Sequence, residues 1–169
     1  RAMRRGTKPE TVSKSAQRSN ERAATAAPEA KIPAAPARRI PRKRSVPTSA
    51  LEKTIGYKFK DRDLLDRSLT HISAIAGGNR TNSYQRLEFL GDAVLDLVVS
   101  EYLLHAFPEA AEGELSKLRA RLVSEKALAR VAKRIGLGEL LRLGRGETKT
   151  EGRSKPSILA DALEALFAG

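Results

Sequence analysis

Gln85-Arg86-Leu87-Glu88-Phe89-Leu90-Gly91-Asp92-Ala93-Val94-Leu95 is the stretch whose pattern decides the fold of this chain. It lies in a proline-free run over residues 84–105, closed by Pro108, and Leu87, Leu90, Val94, Leu97, Val98 and Leu104 cover most of a helix circumference there. A helix apolar on most sides is expected to be largely buried. Acids on such a helix stand out. Residues four apart lie about 40° apart around the axis, so Glu88 and Asp92 point together. Two like charges held that close at the edge of a core raise each other's pKa unless a cation joins them.

On either side of this helix the chain reads as further helices with short connections. Ser49 is placed to cap a short helix over 50–55, and Asp61 or Asp63 a second one containing Leu64, Leu65 and Leu69. Gly77-Gly78-Asn79 marks a loop between residues 70 and 83. Leu115, Leu118, Leu122 and Val123 form one later helix, and residues 124–135 another, stopped by Gly136 and Gly138. A polar, glycine-containing loop over 144–155 precedes a last helix that starts near Pro156 and carries Ile158, Leu159, Leu163, Leu166 and Phe167. There is no strand alternation and no internal repeat, so the fold class is all-α.

Large apolar residues are concentrated from Leu51 onward, which assigns the folded domain to residues 51–169. Residues 1–50 carry six of the eight prolines and too few apolar side chains to offset the entropy of ordering, so they read as a disordered extension. Of the net charge of +12, this extension supplies +10, from 13 Lys and Arg against 3 acids. The domain is therefore nearly neutral, and any nucleic-acid groove on it must be local. The extension reads equally as a solvated tail, an organelle transit peptide, or an arm whose Arg38-Arg39 and Arg42-Lys43-Arg44 clusters touch phosphates. With no cysteine, disulfides and thiolate metal sites are excluded. The longest apolar run, 93–99, is broken by Asp96 and falls far short of the roughly 20 residues a membrane helix needs.

A second acid pair, Asp161 and Glu164, sits three residues apart in the last helix, flanked by Ala160, Ala162 and Ala165, small enough to let a backbone or an ion approach. Two acid pairs on apolar helices suit an oxygen-only Mg2+ site. They suit salt bridges to Arg86 and Lys155 as well, and spacing alone leaves both readings open.

The opening stretch resembles the signature motif of the ribonuclease III family, E-R-L-E-F-L-G-D followed by a small residue and two aliphatics, with residues 86–92 matching in succession. Leu69-Thr70-His71-Ile72-Ser73, Glu112-Gly113-Glu114-Leu115-Ser116 and Ser157-Ile158-Leu159-Ala160-Asp161-Ala162-Leu163-Glu164-Ala165 resemble other segments of the family, in the same order. The resemblance runs from about residue 51 to the end. It implies an all-α, Mg2+-dependent endonuclease that cuts double-stranded RNA to 5′-phosphate and 3′-hydroxyl ends, works as a homodimer in the bacterial cytoplasm, and processes rRNA, mRNA and tRNA precursors. It implies no membrane partner and no small-molecule cofactor. Glu88, Asp161 and Glu164 would be the metal ligands, and Asp92 would join Glu164 in catalysis by holding a water of the ion or assisting proton transfer. Glu112 matches an accessory acidic position, and reads equally as a helix N-terminal acid favoured by the dipole.

The resemblance has two departures. Gln85 stands where the motif usually begins with Glu, which keeps hydrogen bonding and loses the charge. The family's catalytic domain normally continues past the position of Gly169 and is followed by a double-stranded-RNA-binding domain, so the chain is expected to be a fragment. His71 and His105 read as hydrogen-bonded structural residues, and Asp96, a further turn along the Glu88 stripe, is left out of the site because the family requires no acid there. The rival readings are a noncatalytic RNA-binding or ribosome-associated protein that keeps the fold, marked by loss of one of the four acids, and a basic-tailed nucleic-acid-binding module.

Overall fold

Eight α-helices and two 3-10 turns are found in residues 48–75 and 79–169, the part of the chain that the computed structural model describes. No strand occurs among these residues; one isolated parallel bridge pairs Thr70 with Arg142. The expected all-α class is what is observed. The extension expected over residues 1–50 lies outside the described residues except for its last three, as do Gly77 and Gly78 of the expected loop.

The first helix, α1 (Ser49–Ile55), begins one residue earlier than expected, and Ser49 does not cap it. Thr48 takes the cap position without a side-chain bond, its hydroxyl instead accepting from Arg62 Nη1 at 3.2 Å. Helix α2 (Arg62–Ser68) is capped by Asp61, whose carboxylate accepts from the N–H groups of Asp63 and Leu64 at 2.8 and 3.1 Å. The 3-10 turns Ile72–Ala74 and Arg80–Asn82 then lead into α3 (Gln85–Ala106). Helices α4 (Glu112–Leu122) and α5 (Glu125–Arg134) follow, the second capped by Ser124. Gly136, at φ 71°, turns the chain left-handed and straight into a short α6 (Leu137–Leu140), so α5 stops where expected but helix resumes at once. The 144–155 segment, expected as loop, holds one short helix, α7 (Arg145–Lys149), within it.

The last helix, α8 (Pro156–Phe167), occupies the centre of the core. Leu159, Ala162 and Ala165 are fully buried and Ile158 and Leu163 nearly so, against α3 on one side and α5 on the other, with α2 and α6 at the margins. The α3–α8 contact is unusually close at one point. A Cβ on Gly91 would overlap the backbone carbonyl of Glu164, so only a glycine lets the two helices meet there. Glu88 and Asp92 flank that point on α3, and Asp161 and Glu164 lie beside it on α8.

One expectation is overturned. Residues of α3 that were expected to be buried are not: Leu90, Leu97, Val98 and Leu104 are half exposed or more, Leu97 at 70%, and Phe89 beside them is 83% exposed. Of this 22-residue helix only Gly91, Leu95 and Leu103 are buried. The apolar circumference was read correctly as composition, but α8 and α4 cover only one side of it.

Gly91→Ala tests the close approach. Alanine should gain about 1 kcal/mol over glycine in a helix interior, but overpacking against a carbonyl that cannot rotate away costs about 1–3 kcal/mol, and the upper part of that range applies to backbone. The variant is expected to melt at a lower temperature in thermal denaturation; a melting temperature equal to or above the parent's would contradict the contact.

Candidate active site

Glu88, from the second turn of α3, and Asp161 and Glu164, from α8, each place a carboxylate oxygen within 4.8 Å of the others. All three are half-buried. Such a grouping of like charges needs compensation, and none of the described ion pairs provides it: these are Arg62–Glu52, Arg119–Asp96 and Arg142–Asp66. The salt-bridge alternative through Arg86 or Lys155 therefore fails among the described residues. Lys155 is exposed and acts on Asp161 only weakly, through its charge.

The electrostatic consequence is visible in the acids themselves. Burial, then the charges of Asp161 and Asp92, raise the pKa of Glu88. Burial and next Glu125 raise that of Asp161, against smaller opposing effects that include His71 and Lys155. Glu164 is moved furthest, to about 7, by burial and then by Asp92, Asp161 and Glu88. Three oxygen donors on two rigid helices, each resisting ionisation when empty-handed, form a set that a hard divalent cation would stabilise.

The other expected residues are placed as follows. Asp92 is exposed, one turn beyond Glu88, outside the group of three but the foremost charge acting on Glu164. Glu112 is exposed at the start of α4, where it accepts a hydrogen bond from Ser116 Oγ at 2.6 Å, and is not part of the cluster. Asp96 is turned to α4, 3.9 Å from Arg119 Nε. Gln85 is exposed at the first position of α3. His105 is exposed in the last turn of α3.

His71 is held by Ser73: its Nδ1 accepts from the Ser73 N–H at 3.1 Å and lies 2.7 Å from Ser73 Oγ, which in turn accepts from the Gly144 N–H at 2.9 Å. The serine proton is thereby directed at Nδ1, which assigns the neutral Nε2–H tautomer to the ring. Burial, more than any charge, lowers its pKa. This chain of bonds fastens the turn after α2 to the start of α7.

Two contributors were missed in the sequence. Gly91 carries a signal that was available, since a glycine inside a helix costs about 1 kcal/mol relative to alanine and points to a packing reason. Tyr84, the buried residue just before α3, carried none.

A family model described as Ribonuclease-III-like matches residues 61–169. The chain belongs to the ribonuclease III family. Among relatives of this family, the ribonuclease 3 of Campylobacter jejuni strain RM1221 is 53% identical over 117 residues, which are 69% of this chain and 50% of that protein. The ribonuclease 3 of Pseudomonas aeruginosa strain LESB58 is 55% identical over 117 residues, 69% of this chain and 49% of that protein. The chain thus spans about half the length of the curated ribonuclease III relatives it matches. A crystal structure of the Campylobacter jejuni ribonuclease III nuclease domain superposes with a TM-score of 0.66 at 50% identity, covering 72% of this chain and 82% of that one; that protein shows structural flexibility in a region involved in dimer formation.

The raised Glu164 pKa has a definite pH signature. A carboxyl that binds its proton more tightly when folded adds stability below its ordinary 4.5 and loses it as pH rises through about 7. Carbon-13 titration of the Glu164 carboxyl should give a midpoint near 7 in EDTA and a lower one with Mg2+. A midpoint at 4.5 in EDTA would contradict the clustering.

Proposed function

We propose that this domain is a Mg2+-dependent endoribonuclease that hydrolyses phosphodiester bonds of double-stranded RNA as a homodimer, leaving 5′-phosphate and 3′-hydroxyl ends. The observation that carries the reading is the group Glu88, Asp161 and Glu164, three half-buried carboxylates within 4.8 Å with no cationic partner among the described residues, in a ribonuclease III fold. An all-oxygen donor set of this kind fits Mg2+, which prefers carboxylates and water. When bound, the ion supplies Lewis-acid activation of water and charge neutralisation at the phosphate.

The residues themselves do the placing. Glu88, Asp161 and Glu164 hold the ion on rigid helices, so the attacking water and the scissile phosphate share one geometry from one turnover to the next. Asp92, exposed beside them, is suited to hold a water at the rim or to take its proton. Glu112 stands apart in this chain and would have to act from its own helix end, if on the substrate at all. Duplex RNA would be selected by its A-form shape, phosphates and 2′-hydroxyls rather than by base sequence. The nearly neutral charge of the domain agrees with a local binding surface. Precursors of rRNA, mRNA and tRNA in a bacterial cytoplasm are the substrates this reading implies; no described helix is long and apolar enough to cross a membrane.

The homodimer rests on α3. Leu90, Leu97 and Leu104 repeat every seven residues along its bare face, with Phe89, Val98 and Tyr102 beside them. A continuous apolar stripe of this kind on a soluble domain marks an interaction surface, and the dimer formation of the Campylobacter jejuni nuclease domain supports a second copy as the partner.

Two measurements test these parts separately. Duplex RNA incubated with the protein should be cut with Mg2+ present, be left intact in EDTA, and be cut about 100-fold more slowly or less by Glu164→Gln, a loss at least as large as removing an outer-shell partner of a metal ligand. Metal-independent cleavage, or a fully active Glu164→Gln, would sink the mechanism. Leu97→Glu should shift the sedimenting species from dimer to monomer with helicity retained. A parent chain that sediments as a monomer at micromolar concentration would remove the dimer from the proposal.

A further inference from the structure

Tyr84 is almost completely buried, at 1% exposure, yet its hydroxyl has no hydrogen-bond partner among the described residues. Burying a phenol without a partner is costly, and proteins seldom leave one so without a use for it. The residue has little freedom to move out. Its N–H donates to the Thr70 carbonyl at 2.9 Å, and its own carbonyl accepts from the Leu87 and Glu88 N–H groups at 2.8 Å, opening α3. Its ring packs at a tilt on the His71 ring, 5.5 Å between centroids, and His71 is itself pinned from the other side by Ser73.

Tyr84 stands one turn before Glu88, and residues four apart share a helix face. The carboxylates that act on its hydroxyl are, in order, Asp161, Glu88 and Glu147, the first two being members of the acid group. Burial first, and these negative charges next, push the phenol's pKa upward, so it keeps its proton and can only donate. A buried donor with nothing to donate to thus borders acids that are crowded and half-buried.

We propose that Tyr84 is a positioning residue of the acid cluster, its hydroxyl donating a hydrogen bond to the Asp161 carboxylate oxygen that a bound divalent cation leaves free. This inference rests on the metal reading above. Asp161 is chosen over Glu88 because it acts on the hydroxyl most strongly and reaches the cluster from the short, fully packed α8. A carboxylate with one oxygen committed to an ion and the other to a fixed phenol has one orientation instead of several, which is how outer-shell donors tune a metal ligand. The bond would form as the ion is bound, which is why the unloaded hydroxyl stands unpaired. Tyr84 touches neither substrate nor ion on this account.

Tyr84→Phe separates this role from a structural one, because removing an unpaired buried hydroxyl should leave the fold as stable as before or more so. The parent chain and the variant are compared by titration calorimetry with Mg2+ and by thermal melting in EDTA. The proposal expects an unchanged or raised melting temperature in EDTA together with Mg2+ affinity weakened by about 10-fold or more. Equal Mg2+ affinities overturn it. A lowered melting temperature in EDTA also overturns it, since the hydroxyl would then serve the fold without the ion. If the parent chain itself binds no Mg2+, the metal reading fails, and this inference with it; equal, measurable binding by both proteins sinks the inference alone.

Discussion

The close approach of α3 to α8 at Gly91 is the constraint on which the rest of the structure depends. With no side chain between them, the α3 backbone comes up against the Glu164 carbonyl, and the acids on either side of that contact are drawn into one group. Any larger residue would separate the helices and with them Glu88 from Asp161 and Glu164. The alanines of α8 contribute on the same principle, since Ala160, Ala162 and Ala165 are all buried where larger side chains would hold neighbouring helices away. Packing and chemistry therefore share a single point, and the glycine that weakens α3 as a helix is what makes α3 useful.

The acid group runs against stability. Half-burying three carboxylates with no cation beside them raises their pKa values, Glu164 most of all, and leaves the unloaded site repelling itself. Burial is the largest cause in each case, which means the surrounding apolar core, more than mutual repulsion, sets the strain. The fold tolerates it because α8 is anchored elsewhere, by Leu159, Leu163 and their neighbours on α5 and α6, far more firmly than the acids can disturb. A site that is uncomfortable when empty and relieved by a hard cation is the physical content of the function proposed here.

The two sides of α3 have different destinations. One is spent on α8 and α4; the other, with Phe89, Leu97 and Tyr102, is left bare. Periodicity could not tell these apart, because an apolar residue looks the same in sequence whether its own chain or another molecule covers it. The same limit applies to the short helices. Gly144 and Gly146 argue for a loop by local propensity, and α7 forms there anyway. Its entry is tied down by the Gly144 N–H bond to Ser73, from a residue 71 positions away.

Sequence by itself determined what is local. The helical class, most helix positions, the caps at Asp61 and Ser124, the shared face of Glu88 and Asp92 and the motif that identifies the ribonuclease III family all follow from neighbours within a few residues. Only the tertiary structure decided which acids meet. Glu88, Asp161 and Glu164 converge while Asp92 stays at the rim, Glu112 stays on its own helix and Asp96 turns to Arg119. It also decided that Tyr84 is buried beside them and that half of α3 is uncovered. The reason is the same in each case: helical spacing sets the direction of a side chain about its own axis, whereas what it faces is set by how closely two helices far apart in the chain can pack.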